Sequence, residues 1–532
     1  MSGVGKGITT SSLGNILQTR GYKVTAIKID PYINVDAGTM NPTEHGEVFV
    51  LTDGYETDQD MGNYERFMDI TLDRGNYMTT GSVYKDVIER ERNLDYKGKC
   101  VQVVPDIPHE VIRRIKAAGE KHQAEVVIIE IGGTVGEYEN ILFLEAVRMM
   151  KIEAPKNVMT VMVSYVPSPS KIGEMKTKPT QHAVRTLNGT GIQPDIIVAR
   201  AETALDDKRR EKIALFCNVR AENVISAPDV ESIYDVPMYF EKAHLSDRVI
   251  ETLDLPRKKG KQSDWVATVK KYHNTKKEVR IAVVGKYFKT GDYVLSDVYI
   301  SIIEALKHAG AANGVRVKLD WLESDAFENN SKLLKSLDAY AGVLVPGGFG
   351  SRGIEGKIKV IEYCRKKGIP YFGICYGMQL AVIEYARNVL GLKDAHTVEV
   401  NPKTSVPIID IMPEQKEKLK TKDYGGSMRL GSYDARLMKG SLAETSYGKA
   451  RISERHRHRY EVNPEYLDTL KEKGLVLSGM SPDGILTEII ELPKSVHPFF
   501  IGTQFHPEFQ SSLLKPHPLF VAFVKAAKNK KQ

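Results

Sequence analysis

A cysteine between two glycines is the residue of this sequence best suited to nucleophilic chemistry. Cys375 lies between Gly373 and Gly377, after the apolar run 370–372 and before a helical pattern at 379–386. The glycines permit a sharp strand-to-helix turn that presents the side chain, as in a nucleophile elbow. The N-terminus of the following helix favours thiolate over thiol. An isolated cysteine in such a turn is about as often simply buried, so Cys375 needs partners.

A candidate base lies far downstream of this cysteine. We predict a buried strand at 499–505 that runs into His506 and Glu508. A spacing of two residues places both side chains on the same side of an extended chain. Glu508 would orient the imidazole of His506, which would then deprotonate Cys375.

A third segment supplies candidate oxyanion donors. The apolar strand predicted at 343–345 ends in glycines, and we expect the N–H groups of Gly347 and Tyr376 to form an oxyanion hole. Each of the three segments is weak evidence alone. Together, in this order, they resemble the class I glutamine amidotransferases, which implies glutamine hydrolysis at Cys375.

Phosphate binding is indicated near the N-terminus. Residues 3–8 read Gly-Val-Gly-Lys-Gly-Ile and precede a helix predicted at 8–19. Loops of this kind bind phosphates through backbone N–H groups, the helix N-terminus and a lysine. The match is partial, because Gly7 replaces the usual Ser or Thr and the first glycine of the pattern is absent.

Two acids are candidate magnesium ligands. The buried strand predicted at 126–131 carries Glu130 near its carboxyl end, where ligands bind in open α/β sheets. Asp60, in an acidic loop, would be the second ligand, because Mg²⁺ takes one or two carboxylates together with phosphates and water. Without the loop at 3–7, Glu130 fits a surface acid at a strand end equally well.

Bulk properties restrict the class of protein. A length of 532 residues suggests two or three domains, and 42% apolar with 27% charged residues is an ordinary globular composition. No apolar run is long enough to span a bilayer, and we expect no signal peptide, no membrane partner and no nucleic-acid polymer. The four cysteines are far apart, so we predict reduced thiols in a cytoplasmic protein.

Strand and helix patterns alternate along most of the chain. This alternation predicts an α/β protein with two doubly wound domains. We place a P-loop-like domain at 1–254, a polar and basic linker at 255–278, and the glutamine amidotransferase domain at 279–532.

With these segments assigned, the sequence resembles the CTP synthases over nearly its whole length. The stretches that carry the resemblance are 28–36, 45–50, 130–136, 176–181 and 454–461. The resemblance implies an amidoligase domain joined to a glutaminase, a ligase that forms a C–N bond in de novo pyrimidine nucleotide synthesis. ATP would phosphorylate O4 of UTP, and ammonia from glutamine would displace the phosphate to give CTP.

The resemblance also implies roles for individual residues. ATP and its Mg²⁺ would be bound by Gly3, Val4, Gly5, Lys6, Gly7, Ile8, Lys28, Asp60, Glu130, Pro228, Asp229 and Val230. UTP, or CTP as feedback inhibitor, would be bound by Ser2, Glu137, Tyr138, Glu139, Lys176, Thr177, Lys178, Pro179, Thr180, Gln181 and Lys212. Glutamine would be bound by Gly348, Tyr376, Gly377, Met378, Gln379, Glu399 and Arg459. Arg459 would pair with its α-carboxylate and Glu399 with its α-ammonium.

Regulation is implied by the same resemblance. GTP would activate glutamine hydrolysis allosterically, with Arg352 as a candidate contact, and nucleotides would promote a homotetramer. One stretch departs from the family, which commonly has Asp-Ile-Glu where this chain has Glu137-Tyr138-Glu139. That difference bears on how the pyrimidine is recognised.

Two rival functions are compatible with parts of the sequence. One is another glutamine-fed ligase, against which the stretches 45–50 and 176–181 argue. The other is a nucleotide-binding regulator or filament protein, without full activity because its N-terminus is truncated. The intact set of Cys375, His506 and Glu508 argues against that second function.

The start of the chain leads to a further prediction. A phosphate-binding loop connects a buried strand to a helix, yet only seven residues precede the predicted helix at 8–19. We therefore predict that Met1 is a misassigned start or a truncation, and that an upstream apolar strand is missing. Such a strand normally lies near the middle of the parallel sheet, so the strands 24–29 and 126–131 should flank a gap.

Overall fold

The computed structural model of the protein describes residues 3–169, 173–260, 263–286, 289–290, 293–294, 296–411 and 428–530. The chain divides into two compact units, Met1–Ala37 with Asp60–Val266, and Gly38–Gln59 with Ala267–Gln532. Residues 38–59 thus pack with the C-terminal unit, although they lie inside the predicted domain 1–254. None of the described helices combines the length and apolar character that crossing a membrane requires.

The N-terminal unit alternates strands with helices. Its main strands are Val24–Asp30, Tyr77–Thr79, Val126–Ile131, Val161–Tyr165, Ile196–Ala201 and Val224–Pro228. Its α-helices are Lys6–Thr19, Asp60–Met68, Thr80–Arg92, Val103–Lys121, Ile141–Glu153, Lys178–Gly189, Asp207–Cys217, Val236–Lys242 and Leu245–Thr252. A further helix, Trp265–His273, contains the boundary between the units.

The strands of the N-terminal unit form two parallel three-stranded sheets. In chain numbers the strand order is 77–79, 24–30, 126–131 in one sheet and 161–165, 196–201, 224–228 in the other. The predicted gap between the strands 24–29 and 126–131 is therefore wrong, because they pair directly from Val24 with Val126 to Ile29 with Ile131. Strand order depends on how the crossover helices pack, which the sequence of a single strand does not reveal.

The C-terminal unit is built around a large mixed sheet. Its strands are Phe49–Val50, Glu56–Thr57, Glu278–Gly285, Lys289–Thr290, Tyr293–Val294, Arg316–Glu323, Gly342–Val345, Tyr371–Ile374, Ala395–Thr397, Val406–Ile411, Arg429–Leu437, Arg451–His458, Tyr460–Val462, Val476–Met480, Thr487–Glu491 and Phe500–Thr503. Its α-helices are Pro42–His45, Ile300–Asn313, Ser324–Asn329, Ile354–Lys367, Tyr376–Asn388, Leu442–Tyr447, Leu467–Glu472 and Pro518–Asn529.

Nine of these strands lie side by side. Their order is 316–323, 278–285, 342–345, 371–374, 500–503, 487–491, 476–480, 429–437, 451–458, and the first five are parallel. Successive residues of one strand enter different cores, since Val343 belongs to one apolar cluster and Leu344 to the other. A sheet with a core on each face is the architecture predicted for this half of the chain.

The hairpin of strands Phe49–Val50 and Glu56–Thr57 is attached to the strand Arg451–His458. Arg455 donates from Nη1 to the carbonyl of Val50 at 3.1 Å. Arg457 forms an ion pair through Nε with Glu56 at 2.8 Å. These contacts explain why a segment from the first half of the sequence belongs to the C-terminal unit.

Candidate active sites

Cys375 forms the turn between the strand Tyr371–Ile374 and the helix Tyr376–Asn388. Its backbone has φ 50° and ψ −101°, a conformation that costs free energy for any residue with a side chain. A Cβ at Gly377 would lie 2.2 Å from the carbonyl oxygen of Val345, so only glycine leaves room there. Cys375 is thus the residue with the strained backbone, while Gly377 leaves the space that the close packing of a nucleophile elbow requires.

His506 lies beside this elbow and pairs with Glu508. The distance from Nδ1 to Oε1 of Glu508 is 2.7 Å, although Pro507–Gln510 is a 3₁₀ turn rather than extended chain. A Cβ at Gly347 would come within 2.9 Å of the imidazole Cε1, so this glycine lies directly against the ring. Burial opposes protonation of His506, but attraction to Glu508 and Cys375 outweighs it and raises the pKa to about 10. The resting state is therefore an imidazolium beside a carboxylate at neutral pH.

The glycine-rich loop that contains Gly350 is fixed by three side chains. Lys286, which is buried, donates from Nζ to the carbonyl of Phe349. The hydroxyl of Tyr376 donates to the carbonyl of Gly350 at 3.0 Å, and the N–H of Gly350 donates to Glu399 at 2.8 Å. Sequence reasoning missed Lys286, since a lysine at the end of an apolar strand gave no signal of its own.

The predicted glutamine contacts surround the same turn. Burial raises the pKa of Glu399, while the charges of Lys286 and Arg459 act in the opposite direction. Gln379 donates from Nε2 to the carbonyl of Tyr460 at 2.8 Å. The C-terminal unit therefore places an acid, a guanidinium and an amide in one region, a set suited to an amino-acid ligand.

A buried charge cluster lies at the carboxyl end of the strand Val24–Asp30. The ammonium of Lys28 is 2.6 Å from Asp60, 3.1 Å from Glu130 and 3.5 Å from Asp30. Tyr64, which sequence reasoning missed, donates its hydroxyl to Glu130. The structure thus brings together three residues that the sequence assigned to ATP and Mg²⁺.

The carboxylates of this cluster fit a shared cation. Burial raises the pKa of Asp60, but the Lys28 ammonium outweighs it and the net shift is downward. Burial and the charge of Asp60 raise the pKa of Glu130, against the effect of Lys28. Because both carboxylates reach one ammonium, they are close enough to bind one Mg²⁺ together. Among the described residues, no group of three or more His, Cys, Asp or Glu converges as a metal site.

The start of the first helix explains an unusual residue of the loop. The helix begins at Lys6, two residues before the prediction, and Gly5 precedes it with φ 90°. A Cβ at Gly7 would lie 2.0 Å from Oδ1 of Asp60. Glycine at this position, where the standard motif has Ser or Thr, therefore allows the carboxylate to pack against the first turn.

Arg200 connects two parts of the predicted ATP site, and sequence reasoning missed it. Its Nη1 donates to the carbonyl of Pro228 at 3.1 Å and its Nη2 to Asp229 at 2.8 Å. A Cβ at Gly5 would lie 3.5 Å from its Nε. The available signal was a basic residue near the carboxyl end of the buried strand Ile196–Ala201.

The residues predicted to bind UTP are less closely associated with one another than the residues of the predicted ATP site. Lys176 pairs with Glu174 at 2.6 Å, whereas the ammonium of Lys178 lies 5.5 Å from the ring centroid of Phe216. Tyr138 is 91% exposed and Lys212 is exposed. Ser2 lies outside the described residues. The two lysines of the 176–181 stretch thus contact different partners.

Comparison with known proteins identifies the family. The model of the CTP synthase N-terminus matches residues 1–255, and that of the class-I glutamine amidotransferases matches residues 294–526. The CTP synthase of Thermococcus gammatolerans is 51% identical over 534 residues, which cover 100% of this chain and 97% of that protein. The CTP synthase of Methanopyrus kandleri is 52% identical over 530 residues, covering 99% and 97%. The chain belongs to the CTP synthase family.

The match includes a solved structure of one domain of a CTP synthase. The Trypanosoma brucei CTPS glutaminase domain with bound acivicin is 37% identical, covers 48% of this chain and 95% of that chain, and gives a TM-score of 0.44. Membership of the CTP synthase family over the full length confirms the resemblance drawn from the sequence. It favours the predicted ligase over the rival regulator or filament protein.

The raised pKa of His506 predicts how stability depends on pH in this CTP synthase family member. Its pKa of about 10 exceeds the ordinary 6.5, so its stabilising effect is complete below pH 6.5 and is lost as the pH rises through 10. We expect a Glu508→Gln variant to be less stable than the wild type near pH 7, and the difference to shrink towards pH 10. Calorimetric unfolding of both proteins from pH 6.5 to 10.5 measures this.

An exposed acid of the same unit provides the control for that experiment. Glu472→Gln removes a carboxylate that lies on the surface, so its effect on unfolding should not follow the titration of His506. A Glu508→Gln deficit that stays constant across the pH range would contradict the assignment of the imidazolium–carboxylate pair.

Proposed function

We propose that this protein is a cytoplasmic, glutamine-dependent ligase that converts UTP to CTP at the expense of ATP. The observation that supports this most directly is that one chain of the CTP synthase family contains two separate chemical sites. One is the Cys375–His506–Glu508 set, and the other is the buried cluster of Lys28, Asp60 and Glu130. We also propose a homotetramer and feedback inhibition by CTP.

The geometry of the first site supports glutamine hydrolysis by the following steps. The thiolate of Cys375 attacks the side-chain amide carbon, and the N–H groups of Gly347 and Tyr376 stabilise the negative oxygen that forms. The imidazolium of His506 gives its proton to the departing ammonia, which leaves a thioester. Neutral His506 then takes a proton from water, which attacks the thioester, releases glutamate and restores the thiolate and the imidazolium. Glu508 keeps the ring oriented throughout.

The second site suits phosphoryl transfer from ATP to O4 of UTP. Asp60 and Glu130 are the residues that would hold Mg²⁺, which when bound neutralises charge on the phosphates. Lys28 and the N-terminus of the helix Lys6–Thr19 add positive charge at the same place. Phosphorylation makes O4 a good leaving group, and ammonia displaces phosphate at C4 to give CTP.

One assay tests the proposed function. Purified protein is supplied with UTP, ATP, Mg²⁺ and glutamine, and CTP is measured by chromatography. We expect CTP to form, with one phosphate and one glutamate released for each CTP. Absence of CTP with glutamine and with ammonia alike would refute the proposal.

Activation by GTP is a further prediction of this function. Arg352 has a 64% exposed side chain and pairs with Asp325 at 2.5 Å. We expect GTP to raise the glutaminase rate of the wild type several-fold without being consumed, and to raise it less in Arg352→Ala. Glutamate release, measured with and without GTP, gives the result.

An exposed arginine serves as the control for this variant. Arg436→Ala removes a guanidinium from the surface of the same unit and should leave the GTP response unchanged. An active enzyme whose glutaminase rate is indifferent to GTP would argue against the regulatory proposal as a whole.

A further inference from the structure

A fully buried glutamine contacts the reacting sulfur. Gln504 follows the strand Phe500–Thr503, and its side chain has no exposed surface. Its Nε2 lies 3.7 Å from Sγ of Cys375. Its backbone N–H donates to the carbonyl of Glu488 at 2.8 Å, which fixes where the side chain starts. Neither the sequence motifs nor the mechanism above gives this amide a role.

Neighbouring groups determine which end of the amide faces the sulfur. The carbonyl of Tyr460 can only accept, so Gln379 must present Nε2 to it, at 2.8 Å. The same Nε2 is 3.3 Å from Oε1 of Gln504. Reversing Gln504 would place two NH₂ groups against each other. The orientation with a donor towards Cys375 is therefore the one that satisfies both amides.

A buried polar chain supports this orientation from the other side. His458 donates from Nδ1 to the same Tyr460 carbonyl at 3.2 Å. Burial lowers the pKa values of His458 and His456 far below the ordinary value, so both rings are neutral. The Nε2 of His458 then accepts from Nδ1 of His456 at 2.9 Å. The Tyr460 carbonyl thus accepts from His458 as well as from Gln379.

We infer that Gln504 is a further catalytic residue of glutamine hydrolysis, whose side-chain N–H stabilises the thiolate of Cys375. Gln379 acts on it as a positioning residue. The inference rests on the proposed glutaminase function. The sulfur also lies 3.9 Å from the carbonyl of Arg457, which can accept from a thiol but repels a thiolate. The amide of Gln504 offsets that repulsion, in addition to the imidazolium of His506.

Alkylation of Cys375 tests this inference without requiring enzyme activity. Iodoacetamide reacts with thiolate, and peptide mass spectrometry separates Cys375 from the other three cysteines. At pH 7 we expect alkylation to slow about tenfold in Gln504→Met, which loses the donor to the sulfur, since hydrogen bonds to charged groups are among the strongest in proteins. Gln504→Glu should slow it further, because a carboxylate repels the thiolate.

A second glutamine of the same segment provides the matched control. Gln510 is exposed and donates to the carbonyl of Ser453 at 3.1 Å and to Glu454 at 2.6 Å, away from the sulfur. Gln510→Met should alkylate as the wild type does. For glutamine hydrolysis, we expect Gln504→Met to lower kcat with little change in KM, because the lost contact is to the nucleophile.

The outcomes separate the inference from the proposed function. Wild-type alkylation profiles in both Gln504 variants would overturn the role of Gln504, whatever the enzyme makes. A wild-type protein that forms no CTP would instead refute the proposed function. Gln504→Glu exchanges one NH₂ group for one oxygen, so it preserves the packing volume and still gives a result if Gln504→Met does not fold.

Discussion

A Cys375→Ala variant is expected to lose glutamine-dependent CTP synthesis by about 10⁴-fold or more, while synthesis from added ammonia continues. Removal of the thiol leaves no nucleophile for the amide carbon, and the neighbouring imidazolium of His506 cannot replace it. The phosphoryl-transfer residues lie in the other unit and use ammonia from any source. CTP formation, measured in parallel with glutamine and with ammonium chloride, gives the two rates.

The matched control is Cys100→Ala, which removes an exposed thiol from the N-terminal unit. It should leave both activities unchanged. A folded Cys375→Ala protein that loses the ammonia-dependent activity as well would contradict the assignment of glutamine hydrolysis to one unit and of CTP synthesis to the other.

Loss of either acid in the charge cluster should abolish both routes to CTP. We expect Glu130→Ala and Asp60→Ala to lower synthesis with glutamine and with ammonia by about 10³-fold or more, because charge neutralisation at the phosphates is worth several kcal/mol in phosphoryl transfer. Basal glutamine hydrolysis should survive, since Cys375 and its partners are untouched. Measurement of CTP and glutamate in the same reactions separates the two activities.

Removal of an exposed acid tests whether the loss of any negative charge from this unit is enough to lower CTP synthesis. Glu153→Ala, at the end of the helix Ile141–Glu153, takes a carboxylate from the surface of the same unit and should leave both activities near wild type. The near-isosteric Glu130→Gln and Asp60→Asn variants preserve packing in the cluster. Substantial ammonia-dependent activity in all four cluster variants would remove these acids from the proposed metal site.

The identity of the reactive groups was already present in the sequence. Cys375 is recognisable because glycines two residues away on each side and a following helical pattern are local features, and local features determine a strand-to-helix turn. His506 and Glu508 are only two residues apart, so the sequence alone suggests that their side chains interact. The α/β class follows similarly from the alternation of apolar strands with helices.

Tertiary structure alone decided the contacts between distant segments. The pairing of the strands 24–29 and 126–131, contrary to the sequence prediction, depends on helix packing across a hundred residues. The association of residues 38–59 with the C-terminal unit likewise depends on Arg455 and Arg457, some 400 positions later.

The same distinction applies within the two sites. The sequence identified Lys28, Asp60 and Glu130 separately, but only the fold places one ammonium between the two carboxylates. Gln504 is a neutral residue in a segment that the sequence predicts as an apolar strand, so no motif marks it as functional. Its proposed role depends on its contacts with the sulfur of Cys375 and the amide of Gln379. Local patterns are encoded by neighbouring residues, whereas a buried amide or charge acquires its role from groups that chain folding brings within a few ångströms.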